Sequence, residues 1–190
     1  MSGDGYIRWY RERIGPGGFI EQVKYFGERG LHALHPERGV LMVDVDGEEI
    51  PVGIEEADRI LSLHLGDAAS IWRFAEDAQV VCTYSDPSAG SGTQTFSLGS
   101  LLAEEVQQIE SVLIRAAEEF PVGTSALVVD RRGVSDPDAW DSQILYGGRD
   151  APEHADLVLT REPVTSKLLA APTGFRGTDV GAGWTRVSLR

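Results

Sequence analysis

The chain has 190 residues, 42% hydrophobic and 25% charged, proportions that exclude wholesale disorder and match a folded globule. Its formal net charge of −13 sets up a field that repels nucleic acid and anionic membrane and favours a basic protein partner. The single cysteine, Cys82, excludes an internal disulfide; Met1 to Tyr10 does not read as a secretion signal, and no apolar run is long enough to span a bilayer, so a cytoplasmic location is expected.

The elements follow in chain order. Tyr6 to Arg13 mixes aromatics with arginines and ends at the breaker Gly15-Pro-Gly-Gly18. It reads as a segment that docks Ile7 and Trp9 while its arginines pair with acidic groups, although Arg and aromatics together also suit a grip on RNA. Phe19 to Arg29 reads as a helix with Phe19, Val23 and Phe26 on one face and Gly30 as its stop. Val40 to Val52 reads as a hairpin around a two-residue Asp46-Gly47 turn, its second strand short or at an edge because of Pro51. Glu55 to Leu65 follows as a helix.

Ile71 to Ala75 and Gln79 to Tyr84 read as paired strands, Ser85 to Gly92 as a flexible loop, and Thr93 to Leu98 as a third strand. The strongest helical pattern is Leu101 to Phe120, with an apolar stripe of Leu102, Val106, Ile109, Leu113, Ala116 and Phe120. Thr124 to Asp130 is a strand, Arg131 to Asp141 a polar loop around Trp140, and Gln143 to Tyr146 a short strand. Asp156 to Thr160 is another strand, Val164 to Ala171 a short helix, and Trp184 to Leu189 an edge strand.

The expected fold is α+β: a mainly antiparallel sheet with helices packed on one face, built from two hairpin-then-helix stretches, Val40 to Leu65 and Ile71 to Phe120. A single domain is expected, and its charge is uneven. Residues 1–38, an N-terminal arm and helix, carry net +1. Residues 39–150, a sheet and helix core, hold 21 acidic and six basic residues, net −15. Residues 151–190, a C-terminal helix and edge strand, carry net +1.

Motifs for chemistry are sparse. Val43-Asp-Val-Asp-Gly47 resembles the Asp-x-Asp-Gly-Thr signature of the haloacid dehalogenase phosphatases, which implies Asp44 as nucleophile and Asp46 as acid. Here Glu48 stands in place of the Thr, and the alternation runs on as a return strand, so a hairpin turn accounts for the same residues. His32 and His35 are spaced for one helix face but precede Pro36 and lack a third ligand; His64 and His154 stand alone. Cys82 lies mid-strand and reads as packing, not as a nucleophile. Gly177 to Gly183 is glycine-rich without the strand–turn–helix of a dinucleotide loop. No metal and no cofactor is expected.

The function expected from these features is an acidic protein–protein interaction module, of inhibitor or immunity type, that neutralises a basic partner. Its binding surface is placed at Asp136, Asp138, Trp140 and Asp141, where three carboxylates flank one aromatic anchor, and at the acidic turn of Glu76 and Asp77. Trp140 as a core cover and the aspartates as turn formers explain the same stretch. The alternative is a small-molecule-binding domain or enzyme with a pocket between sheet and long helix, using Arg73, Tyr84, Asp130 and Tyr146. A homo-oligomer stays open.

Overall fold

A computed structural model describes residues 4–63, 66–74, 78–88, 90–119, 123–148, 152, 154–170 and 174–188. The chain builds an α+β fold on one 11-stranded sheet in which every strand pair is antiparallel. The strands are β1 (Tyr6–Glu12), β2 (Leu34–His35), β3 (Gly39–Val43), β4 (Glu49–Val52), β5 (Ala68–Arg73), β6 (Gln79–Ser88), β7 (Ser91–Ser97), β8 (Ala126–Asp130), β9 (Leu157–Thr160), β10 (Arg176–Gly181) and β11 (Trp184–Ser188). The helices are α1 (Gly18–Gly27), α2 (Ile54–Ser62), α3 (Ala103–Glu119), α4 (Pro137–Tyr146) and α5 (Val164–Ala170).

The sheet runs β10-β11-β9-β8-β1-β7-β6-β5-β3-β2, with β4 paired to β3. Strand β1, from the near-neutral N-terminal segment, therefore lies in the middle, between β7 and β8. Alternation along it divides the molecule into two cores. Ile7 and Trp9 join Leu127 and Val129 on one face, under Phe19, Val23 and Phe26 of α1, Ala57 and Leu61 of α2, and Val106, Ile109, Leu113 and Ala116 of α3. Tyr6 and Tyr10 join Ala126 and Val128 on the other, under Trp140 and Ile144 of α4 and Val164 and Leu168 of α5. Helices thus cover both faces, where the sequence led us to expect one. The reason is local: β1 and β8 are buried on both sides and each face needs its own cover.

Other boundaries also differ from the sequence reading. The stretch expected as a loop over Ser85 to Gly92 is mostly strand, because β6 continues to Ser88 through a register shift and β7 begins at Ser91. The expected polar loop and short strand over 131–146 contain α4. Asp136 caps it by accepting a hydrogen bond from the Asp138 amide, Pro137 follows the cap, and Gly147 ends it at φ 66. Strand β11 is not an edge: β10, from the glycine-rich segment, lies outside it. The hairpin of β3 and β4 turns through three residues, not two. Gly47 donates to the Asp44 carbonyl, Asp44 donates to the Glu48 carbonyl, and Gly47 takes φ 83.

Candidate functional site

Among the described residues, two of the places that combine unusual exposure or convergence of polar groups bear on function. The first is the end of the molecule formed by β3, β4 and α2. The Asp44 carboxylate accepts hydrogen bonds from the amides of Asp46 and Glu48, at 2.9 and 2.8 Å. This side chain fixes the turn and leaves Val45 at its tip with 101% relative exposure. Ile50 is 45% exposed. Val45 and Ile50 both line a groove of about 430 Å3 together with Met42, Val43, Val52 and Ile60, and with Asp44 and Asp67. Asp46, Glu48 and Glu49 are exposed beside it. Arg38 neutralises Glu49 at 2.6 Å, and Arg59 neutralises Glu56 of α2. Among the described residues, Asp46, Glu48 and Asp67 make no ion pair.

Strand β4 is also an edge. The Asp44 to Glu48 bond sets Glu48, Ile50 and Val52 to bond inward and Glu49 and Pro51 to face outward. Pro51 has no N–H to offer there, which blunts the edge against strand addition. What this end presents is side chains, not a free ladder.

The second place is the C-terminal end of β8. Asp130, fully buried, accepts from the Arg132 amide at 3.1 Å and from the Ser135 amide and hydroxyl at 2.8 and 2.9 Å. Burial pushes its carboxyl up, but the Ser135, Val134 and Arg132 hydrogen bonds outweigh burial and hold it below the ordinary range. Asp156 accepts from the Arg131 amide at 2.7 Å. His154 Nε2 lies 3.6 Å from Asp156 Oδ1, and one ligand atom from each of Asp130, His154 and Asp156 lies within 4.8 Å of the others. Arg131 also clamps Glu110 of α3 at 2.8 Å.

The residues singled out from sequence are scattered across this frame. Asp136 and Asp138 are exposed at the start of α4. Trp140 is 1% exposed, donates its indole N–H to the Ser135 hydroxyl at 3.2 Å and stacks on Phe175. Asp141 is buried under Arg8 and Tyr10. So Trp140 serves the core and Asp141 an internal ion pair, while Asp136 caps a helix. Glu76 and Asp77 lie outside the described residues.

The four residues of the pocket reading do not converge. Arg73 donates to the Leu34 carbonyl, and Tyr84 is buried against Ser70 and Trp72. Tyr146 donates to the Pro87 carbonyl, and Asp130 belongs to the β8 end. Apolar side chains pack between the sheet and α3, and at the N-terminal end of α3 a cavity of about 710 Å3 opens, lined by Asp4, Leu98, Val106, Gln107, Arg131 and Arg132 and by none of these four residues. The His32 backbone bridges to Arg73 and the His35 ring accepts from the Glu37 amide; His64 lies outside the described residues. Burial pushes the Cys82 thiol far up, as expected of a packing residue.

Val45, Ile50 and Asp156 are the functional candidates that sequence reasoning missed. For Val45 the signal was present: an apolar residue inside a turn has no core to reach. For Asp156 it was not, because its neighbours come from other elements. Comparison with protein-family models, curated proteins and solved structures finds no match to this chain. Among the described residues no helix is long and apolar enough to cross a membrane.

Proposed function

We propose that this chain is a protein-binding module that docks a basic partner at the β3–β4 hairpin end, as an inhibitor or immunity-type protein does. The observation that carries the reading is Val45, a fully exposed aliphatic side chain held at the tip of an acidic turn on the lining of a groove with Met42, Val43, Ile50 and Val52. Burying a side chain of this size contributes about 1.5–3 kcal/mol to an interface. The carboxylates of Asp46, Glu48 and Asp67 around it select a partner with Lys or Arg beside an apolar pocket. The surface described from sequence at Asp136 and Asp138 adds negative charge elsewhere, without an exposed aromatic anchor.

The test uses three baits in native cell extract: the wild type, V45D and the charge-reversed D46K/E48K. These changes leave Asp44 and Gly47, which set the turn, untouched. A specific partner is retained by the wild type and lost from both variants. Its association rate then falls steeply with added salt, since rim charges act mainly on encounter. A partner held equally by D46K/E48K, or one indifferent to salt, overturns the reading.

A further inference from the structure

We propose that the groove beside the β3–β4 hairpin is a binding site for an alkyl chain ending in a cation: the side chain of a lysine or arginine of the partner. Its stem lies on the apolar lining and its charged head meets Asp44 and Asp67. The proposal rests on the hairpin reading above for the existence of a partner, and it adds the side chain that the groove selects.

The groove opens where two strands part. Strands β3 and β5 pair only through Met42 with Ser70 and Val43 with Ala69. Asp44 is the residue after β3 and Asp67 the residue before β5. Both carboxylates therefore stand just past the end of the ladder, one on each strand, and both line the groove. The apolar part has its own origin. Met42 lies opposite Ile50 and Val40 opposite Val52 in the β3–β4 register. Residues two apart on paired strands share a face, so Met42, Ile50 and Val52 make one apolar surface, to which α2 adds Ile60.

Both carboxylates keep acceptor capacity. Asp44 Oδ1 accepts the two turn amides, while among the described residues Asp44 Oδ2 accepts none. Asp67 is exposed and, among the described residues, makes neither a hydrogen bond nor an ion pair. No described Lys or Arg lines the groove; Arg38 and Arg59 nearby are held by Glu49 and Glu56.

An occupant has to satisfy both halves of this lining. A purely apolar group covering it would strip water from two carboxylates and offer them no donor. A bare cation would leave the apolar surface in water. A lysine or arginine meets both demands, because its methylenes bury along apolar surface while its head stays at the polar rim. An ionised donor on a carboxylate also makes the stronger class of hydrogen bond. Asp46 and Glu48, exposed beside the groove, draw the same sign of charge toward it. At about 430 Å3 the groove falls within the size range of small-ligand sites, so a whole long side chain can enter.

Nuclear magnetic resonance titration of the full chain with N-acetyl-arginine amide and N-acetyl-lysine amide tests the site. Neutral N-acetyl-citrulline amide and stemless methylguanidinium are the controls. Saturable shifts of the Asp44, Val45, Asp67 and Ala68 amides are expected with the cationic probes, and the tighter of the two identifies the preferred head. The controls bind at least about tenfold more weakly, and D67N weakens the cationic probes by about tenfold, the effect of one hydrogen bond between charged groups. Circular dichroism confirms that D67N is folded. No saturable shift with either cationic probe, equal affinity for citrulline, or unchanged affinity in D67N overturns the proposal. Its failure is separable from failure of the hairpin reading. A partner lost from V45D and D46K/E48K but kept by a D67N bait leaves that reading standing and removes the cation from the groove. Probe binding at the groove with no partner captured keeps the cation site and removes that reading.

Discussion

Arg8, in the middle strand, donates through Nε to Asp141 Oδ1 at 2.8 Å and through a second nitrogen to Oδ2, and it reaches Thr95 at 2.8 Å. Tyr10 donates to the same carboxylate at 2.8 Å. This pair joins β1 to α4 across 133 positions of sequence. That separation is why Asp141 read as surface: no local pattern announces its partner. Removing one member of a buried pair strands the other, which costs about 3–5 kcal/mol. D141A is therefore expected to lower the melting temperature by roughly 2–4 °C per kcal/mol in a chain of this size. The apolar double variant R8M/D141L recovers much of that loss, because nothing charged is left buried. Thermal denaturation of the three proteins checks both statements.

Tyrosine titration belongs to the same scale. Burial, first among the causes, pushes Tyr6 up to about 12 and Tyr25 up to about 12. Tyr10 and Tyr84 are raised well above their ordinary value, again by burial first. Each folded-state value lies above the unfolded value of about 10, so each contributes stability in full below about pH 10. For Tyr6 and Tyr25 that contribution is lost as pH rises through about 12. Phenolate absorbance beyond that of the exposed Tyr146 should then appear in one cooperative step that coincides with unfolding by circular dichroism. A gradual rise near pH 10 that accounts for all five tyrosines with the fold intact would falsify this burial pattern.

At the scale of elements, periodicity made α1, α2, α3 and most strands legible, since each has one face to bury. It failed for α4, which packs Trp140, Asp141, Gln143 and Ile144 inward and so shows no apolar stripe. The readable signal lay at its ends, in the Asp136-Pro137 start and the Gly147 stop. D136A should cost about 1 kcal/mol by removing the cap, with little change in the folded structure. Urea denaturation at constant slope would show it. Strand order was beyond reach for a different reason. Nothing in Tyr6 to Glu12 says that β1 inserts between β7 and β8; only its burial on both faces hints at a central place. The β8-end cluster shares that limit, since Asp130, His154 and Asp156 come together through the β8–β9 pairing.

For the whole molecule, the charge of −13 and the buried carboxylates act in opposite directions as pH falls. Excess negative charge destabilises the compact state by self-repulsion. Lowering pH from 7 toward the isoelectric point near 4.6 relieves it. Asp130 works the other way. Its folded-state value is depressed, so its stabilisation is present above the unfolded carboxylate range and is lost as pH falls through and below about 3.9. Maximum stability is therefore expected near pH 5–6, on the acid side of neutrality. Salt separates the two effects. Raising ionic strength from about 0.1 M to about 1 M shortens the screening length from about 10 Å to about 3 Å. At pH 7.5 this should raise the melting temperature, because surface repulsion is screened. Near pH 5 it should do little, because little repulsion remains. Melting curves at both pH values and both salt concentrations decide the matter: an equal rise at both would assign the effect to general salting-out, in which excluded ions strengthen apolar burial, and self-repulsion would lose its place as the main whole-molecule term.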